Sequence, residues 1–279
     1  MAYDTLQKLY PEEEKMPLAR FYYDYPMKDL PKELKDLVLG PPVDCRDVVK
    51  PEDFINWLKP LGEYEKVENG YCMFPDGSGY IATYFKIPDD VEAKKLFWYL
   101  NWLNIYPKSA VYGHGNLRYK IWNPADHFDH YFVNWKDTTE GVFTTEHLDL
   151  GEGERYYDTI RHPFNLREYG LTQERIDELT ASGISVKETS DWESFDEPGA
   201  HLTMGQIRKR ADGGFERRSV EWIGWRPGKD GQVVREPRTQ CDEAYLRKVG
   251  YHTLLEWYHL MDYINDLYDT YSVLPADAD

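Results

Sequence analysis

The stretch from Asp242 to Tyr268, DEAYLRKVGYHTLLEWYHLMDYINDLY, decides the fold class of this 279-residue chain. Apolar residues recur in it every three or four positions, which is the spacing of one face of an α-helix. The residues of this stripe are Leu246, Val249, Thr253, Trp257, Leu260, Ile264 and Leu267. The sequence therefore predicts one long C-terminal helix with one face turned towards a core.

The same stretch carries a possible pair of metal ligands. His252 and Glu256 are four residues apart, so a helix places them one turn apart on one side, the side of the apolar stripe. A carboxylate on a buried face is costly unless it is paired or bound to a metal. Two interpretations stay open at this point: a His–Glu hydrogen bond at the edge of the core, or two ligands of one metal ion.

A second informative stretch, LRYKIWNPADHFDH, runs from residue 117 to 130. Leu117, Tyr119 and Ile121 alternate with longer polar or aromatic residues, which predicts a β-strand. Asn123-Pro124 then predicts a turn.

Two Asp-His pairs follow this turn, Asp126-His127 and Asp129-His130. A carboxylate beside a histidine often holds one ring nitrogen while the other binds a metal. The alternative is a polar surface turn without a ligand.

The order of the predicted elements indicates an α+β fold. Strand patterns dominate from residue 63, and the long helix comes last, which predicts an antiparallel sheet with the helix laid across it. Residues 1–62 are rich in Pro, Lys, Asp and Glu, and they predict a small arm or mainly helical subdomain. The predicted strands are 79–86, 131–135, 142–148, 156–161, 201–209 and 215–225, and the predicted shorter helices include 91–103 and 171–182.

Composition excludes several classes of protein. The net charge of −17 and the lack of a long Lys/Arg cluster argue against binding to nucleic acid or to an anionic membrane. No apolar run is long enough to span a membrane. Cys45, Cys72 and Cys241 are odd in number and widely spaced, so we expect neither a disulfide framework nor a thiolate zinc site. These features predict a cytoplasmic protein.

Five motifs in one order resemble the phloretin hydrolase and diacetylphloroglucinol hydrolase family. The resemblance extends in patches from about residue 63 to residue 268. The motifs are GYCMFPDGSGY at 70–80, YKIWNPADH at 119–127, EHLDLG at 146–151, RSVEWIG at 218–224, and His252-x-x-x-Glu256.

The resemblance implies both a fold and a reaction. The implied fold is a Bet v 1-like, helix-grip domain over residues 63–279, and the implied assembly is a homodimer. The implied reaction is hydrolysis of the carbon–carbon bond between an acyl group and a polyhydroxylated aromatic ring. The implied zinc ligands are His127, Glu146, His252 and Glu256, and the implied active-site tyrosine is Tyr119. A ligand set of nitrogen and oxygen also suits iron or manganese.

The chain departs from the family pattern around the expected substrate pocket. Met204 stands where the family has a further catalytic histidine, and His130 stands where it often has asparagine. We expect His130, or His201 three residues before Met204, to take over the proton transfer. Trp98 and Trp102 are expected to supply flat walls for an aromatic ketone.

These departures leave two alternatives to the zinc hydrolase. One is a non-heme iron enzyme on the same scaffold, and the other is a non-catalytic protein that binds aromatic ligands.

Overall fold

The computed structural model describes residues 9–105, 116–134, 136–147, 156–195 and 199–278. The helices of this part are α1 Arg20–Asp24, α2 Lys32–Leu39, α3 Ala93–Leu103, α4 Leu117–Lys120, α5 Gln173–Ala181 and α6 Glu243–Tyr271. The strands are β1 Gly70–Met73, β2 Gly79–Ile87, β3 His127–Phe132, β4 Val142–His147, β5 Tyr156–Asn165, β6 Thr189–Phe195, β7 Gly199–Lys209, β8 Phe215–Ile223, β9 Trp225–Pro227 and β10 Val233–Arg235. The predicted α+β class, with a large antiparallel sheet and a long C-terminal helix, is confirmed.

The chain forms two compact units, each assembled from separate segments. The first unit comprises residues 1–31, 88–160 and 252–279, and the second comprises 32–87 and 161–251. The N-terminal 62 residues therefore contribute to both units, and the predicted boundary at that point stays a prediction. Among the described residues, no helix combines the length and the apolar character that crossing a membrane requires.

The second unit is built on the antiparallel strands β1-β2-β8-β7-β6, in that spatial order. Successive side chains of a strand point to opposite faces, so each strand contributes to two surfaces. One face is apolar and packs against the 3₁₀ turn Pro51–Trp57 and helix α5. The residues from these strands in that core are Cys72, Tyr80, Ala82, Leu202, Met204, Val220 and Trp222.

Arg208 and Glu216 form a buried ion pair at the end of β7 and β8, and Arg208 also donates to backbone carbonyl oxygens. Arg208 donates to Glu216 at 2.7 Å, and both side chains have 0% exposure. Nη1 of Arg208 donates to the carbonyl oxygens of Lys59 and Pro60, and Nη2 donates to that of Glu63. Removing one member of such a pair leaves an uncompensated buried charge.

Replacing Arg208 by alanine is therefore expected to lower the free energy of unfolding by about 3–5 kcal/mol. Urea denaturation of the variant and the wild type measures this difference. Arg46→Ala is the control, because Arg46 pairs with Asp44 at an exposed site and we expect an unchanged midpoint there. Equal midpoints for Arg208→Ala and the wild type would contradict the assignment.

The cysteine prediction was wrong, because a disulfide joins Cys45 to Cys72 with a Cα–Cα distance of 5.7 Å. The physical reason is a backbone contact. The amide of Val43 donates to the carbonyl of Tyr71 at 2.8 Å, which lays the segment before Cys45 along strand β1. Cys241 is the free cysteine. The cysteines therefore no longer support the predicted cytoplasmic location, which stays a prediction.

The first unit contains the pair β3–β4, helices α1, α3 and α4, and the part of α6 from His252 onwards. Its core is aromatic: Phe21 of α1 lies 5.8 Å from the ring of Tyr263 on α6, and Tyr99 of α3 lies 5.8 Å from Trp122. The strand predicted at residue 117 was wrong. Residues Leu117–Lys120 form the short helix α4, because the Asn116 side chain accepts from the amide of Arg118 at 2.9 Å and caps it.

Candidate metal centre

Helix α6 supplies two polar side chains to the interior of the first unit. His252 and Glu256 lie one turn apart, with 3.8 Å between Nε2 of His252 and Oε2 of Glu256. Both residues are buried, at 7% and 9% exposure. The apolar residues around them on α6, including Leu255 and Leu260, are also buried, so the helical periodicity turns both side chains inward.

His127 approaches this pair from the start of strand β3. Its ring is fully buried, and its Nδ1 lies 3.0 Å from the backbone carbonyl oxygen of Tyr119. Since a carbonyl only accepts, the proton of the neutral ring lies on Nδ1 and the lone pair on Nε2. That Nε2 lies 3.4 Å from Nε2 of His252 and 3.3 Å from Oε2 of Glu256.

Glu146 completes the group from strand β4. The β3–β4 ladder pairs His127 directly with Glu146, which sets their side chains next to each other. Oε2 of Glu146 lies 3.6 Å from Nε2 of His252, and its Oε1 accepts a hydrogen bond from the Tyr119 hydroxyl. The Tyr119 ring stacks on His127, with 3.8 Å between the ring centroids and 5° between the planes.

A second layer of side chains fixes His252. Oδ2 of Asp126 lies 2.8 Å from Nδ1 of His252, so Nε2 of the ring points to Glu146 and His127. Asn123, which is fully buried, donates to the same Asp126 oxygen at 3.2 Å. The side-chain oxygen Oδ1 of Asn123 accepts from the backbone amides of Ala125 and Asp126, each at 3.2 Å. The predicted turn therefore also holds the Asp126 carboxylate in place.

Burial and neighbouring charge act on the two imidazoles in opposite ways. Burial lowers the pKa of His127 to about 3, so this ring is neutral and can offer a lone pair. Burial also opposes a charge on His252, but the hydrogen bond to Asp126 and the charges of Glu146 and Glu256 outweigh it and raise its pKa to about 10. The carboxylates around His252 therefore favour a positive charge at this position, which either a proton or a metal ion can supply.

The donor atoms of His127, Glu146 and His252 all lie within 4.8 Å of one another, which makes this group able to hold a metal ion. Both imidazoles present Nε2 while their Nδ1 atoms are bound to protein groups, as in metal sites. The donors are nitrogen and oxygen only, and this set fits zinc, iron or manganese. Oε2 of Glu256 lies 3.3 Å from Nε2 of His127 and 3.8 Å from Nε2 of His252, and its role as a fourth ligand stays a prediction.

The other predicted site residues of the first unit lie around this cluster or on α3. The ring of His130 is 4.8 Å from that of Tyr119, and its Nε2 lies 3.2 Å from Oδ1 of Asn104. Trp98 stacks on Trp102 at 5.0 Å. Trp102 is 2% exposed and carries the guanidinium of Arg118 at 4.0 Å from its ring centroid, so it also packs internally.

Two predicted residues, His201 and Met204, belong to the second unit. Met204 is part of the apolar core on one face of the sheet. His201 lies on the opposite face, where its Nε2 is 3.1 Å from the hydroxyl of Tyr245. The substrate-binding and catalytic roles of Trp98, Trp102, His130, His201 and Met204 stay predictions.

Sequence reasoning missed the partners that orient the ligands. The sequence places Asp126 next to His127, whereas in the structure Asp126 contacts His252, which lies 126 positions later. Asn123 was read only as a turn residue, and its role in holding Asp126 was not predicted. The sequence contains one signal for these partners, because the predicted turn at Asn123-Pro124 is followed by two Asp-His pairs, Asp126-His127 and Asp129-His130.

Comparison with known proteins agrees with the motifs. The model of the DAPG hydrolase PhiG domain family matches residues 49–269. A phloretin hydrolase from Eubacterium ramulus is 27% identical over 242 residues, which cover 80% of this chain and 78% of that protein. The matched region includes every residue of the candidate metal cluster. This chain therefore belongs to the DAPG hydrolase PhiG domain family.

Proposed function

We propose that this protein is a metal-dependent hydrolase that cleaves the carbon–carbon bond between an acyl group and a polyhydroxylated aromatic ring. The proposed ligands are His127, Glu146, His252 and Glu256, and zinc is the first candidate for the metal. The observation that carries the proposal is the arrangement of two buried imidazoles. Their Nε2 atoms lie 3.4 Å apart among carboxylates, while protein groups hold both Nδ1 atoms.

The chemistry of the ligands suits attack on a ketone. A metal ion bound by such a set polarises a carbonyl and lowers the pKa of water towards neutrality. The surrounding residues exclude bulk water, because His127, Tyr119 and Asp126 are nearly or fully buried. Charges in such an environment interact more strongly than they do in water.

The leaving group of this reaction is a ring carbon, which departs only when it gains a proton. In its keto form a trihydroxylated ring has a carbonyl group next to the carbon that bears the acyl group. The bond to be broken is then that of a 1,3-dicarbonyl compound. Tyr119, beside the metal cluster, is the residue proposed to transfer this proton. Its hydroxyl donates to Glu146 and can exchange its proton with that carboxylate. His130, 4.8 Å from the Tyr119 ring, is a second candidate.

Metal analysis together with a substrate panel tests the proposal. Purified protein is expected to contain one transition metal per chain and to release free phenol and carboxylic acid from acylphloroglucinols or dihydrochalcones. Chromatography of the products and elemental analysis provide the two measurements. Full activity without metal would contradict the proposed cluster, and metal-loaded protein that cleaves no member of the panel would contradict the proposed reaction.

The same experiment separates the two alternatives. An iron enzyme would contain iron and show visible absorption, whereas a binding protein would bind the phenols without product. Light scattering tests the expected homodimer.

Asp126→Ala is expected to weaken metal binding by about 10–100-fold, because His252 loses the carboxylate that orients its ring. Competition with a chromophoric chelator measures the affinity without reference to activity. Asp137→Ala, at an exposed position, is the control and should leave the affinity unchanged. A wild-type affinity in Asp126→Ala would show that the hydrogen bond does not contribute to the metal site.

A further inference from the structure

The second unit has a cluster of acid–base side chains that the metal site does not use. His201 of β7 is 3% exposed, and its Nε2 lies 3.1 Å from the hydroxyl of Tyr245 in the first turn of α6. Its Nδ1 lies 3.6 Å from Oε2 of Glu221 on β8. The three groups thus form a chain from carboxylate to imidazole to phenol.

The charge of Glu221, 3.6 Å from Nδ1, favours one of the two tautomers of His201. A carboxylate beside Nδ1 favours the tautomer with its proton on that nitrogen, which leaves the lone pair on Nε2. The hydroxyl of Tyr245 is then the donor in its hydrogen bond with His201. A base that is oriented by a third group and lies within hydrogen-bond distance of a hydroxyl is the arrangement that activates that hydroxyl for proton transfer.

This chain of groups lies on the polar face of the sheet, opposite to the apolar core. The registers place His201 opposite Glu193 and Ile223, and Thr203 opposite Asp191 and Glu221, all on one face. Glu193 is engaged by Arg161 at 2.6 Å.

Part of this face is accessible to solvent. Tyr245, Thr203 and Glu221 are each partly exposed. Two residues along β7 from Thr203, a Cβ atom placed at Gly205 would meet no heavy atom within 4 Å beyond its chain neighbours.

We propose that Tyr245 is an acid–base group that deprotonates a hydroxylated aromatic ligand bound on this face. His201 accepts the proton of Tyr245, and Glu221 positions His201. The inference rests on the proposed function for the class of ligand, a polyhydroxylated aromatic compound.

The proposed step is balanced within the relay and the ligand. The O–H bond of the ligand breaks and its proton moves to Oη of Tyr245, while the former proton of Tyr245 moves to Nε2 of His201. The electron pair stays on the ligand as a phenolate. The imidazolium that forms lies beside the Glu221 carboxylate, which stabilises its charge. Reversal of the two transfers returns the proton.

The test uses the metal-loaded protein and 1,3,5-trihydroxybenzene, which has no acyl group to cleave. Ultraviolet titration follows the phenolate of the bound ligand as the pH rises. In wild type we expect the bound ligand to ionise at least about tenfold more readily than the free ligand. Tyr245→Phe and His201→Asn are expected to abolish this difference, and Glu221→Gln to reduce it.

Tyr258→Phe is the matched control, because it removes a hydroxyl from another partly exposed tyrosine of α6. It should behave as wild type, and thermal melting should show that Tyr245→Phe remains folded. A merely structural hydrogen bond would change melting and leave ligand ionisation as it is. Ligand that fails to bind, or that ionises identically in wild type and Tyr245→Phe, would overturn the relay.

This experiment also separates the relay from the proposed reaction. If the wild type ionises the ligand but hydrolyses no acylphloroglucinol, the proposed function fails and the relay stands. If the wild type hydrolyses its substrate while Tyr245→Phe ionises the ligand normally, the relay fails and the proposed function stands.

Discussion

Protein with His252 replaced by alanine is expected to contain no stoichiometric metal and to show no measurable hydrolysis. His252 contributes one of the two imidazoles, and its Nε2 lies within 3.4–3.8 Å of His127, Glu146 and Glu256. Alanine removes one ligand and leaves Asp126 without the ring that it orients. The three remaining proposed ligands, His127, Glu146 and Glu256, contain one imidazole instead of two, so we expect them to bind the metal too weakly for a stoichiometric content in purified protein.

Two measurements check this result independently of turnover. Elemental analysis gives the metal content. The melting temperature with and without added metal shows whether the folded protein binds the metal, because a ligand of the folded state raises stability. Wild type is expected to melt higher with metal, and His252→Ala to melt at one temperature under both conditions. His162→Ala is the control, since His162 is half-buried in the other unit beside Ser194. Stoichiometric metal in His252→Ala would exclude His252 as a ligand.

The part of the site that could be predicted from sequence is the part that local periodicity controls. Helix α6 is predicted from residue 242 to 268 and runs from Glu243 to Tyr271, because six apolar residues and Thr253 repeat with the helical period. The same period fixed His252 and Glu256 on its inner side. The three-residue spacing between His201 and Met204 likewise implies opposite faces of β7, as the register shows.

The strand predicted at residue 117 was wrong because this segment is buried on all sides. Leu117, Arg118, Tyr119 and Lys120 are all buried, so no polar face marks the helical period of α4, and the alternation of apolar residues was misread as a strand. Arg118 is buried because carbonyl oxygens of Trp102, Ile105, Ala276 and Ala278 accept from its guanidinium. No rule based on hydropathy anticipates an arginine in such a place.

Contacts between distant segments also lie beyond a single sequence. Asp126 reaches His252 across 126 positions, and Cys45 reaches Cys72 across 27. The Cys45–Cys72 contact is accompanied by a backbone hydrogen bond from Val43 to Tyr71. The motif resemblance indicated which side chains to examine, whereas only the structure showed how their second ring nitrogens are held.

Tyr119→Phe is expected to keep its metal and its fold but to lose turnover by on the order of a hundredfold to ten-thousandfold. The ring of Tyr119 stacks on His127 at 3.8 Å, and phenylalanine preserves that contact. The hydroxyl donates to Glu146, so its removal takes away the proposed route for a proton between that carboxylate and the substrate. The ring contact serves structure, and the hydroxyl serves chemistry.

Metal content and turnover measured on the same sample distinguish the two possible roles of this hydroxyl. If it only held Glu146 in place as a ligand, Tyr119→Phe would lose metal affinity and turnover together, and excess metal would restore the rate. If it transfers a proton, the variant stays fully loaded and slow at every metal concentration. Tyr131→Phe on β3 is the control, since its ring packs on Phe143 at 4.8 Å. Wild-type turnover in Tyr119→Phe would leave the hydroxyl with no part in the reaction, because stacking on His127 alone would then explain why a tyrosine is buried there.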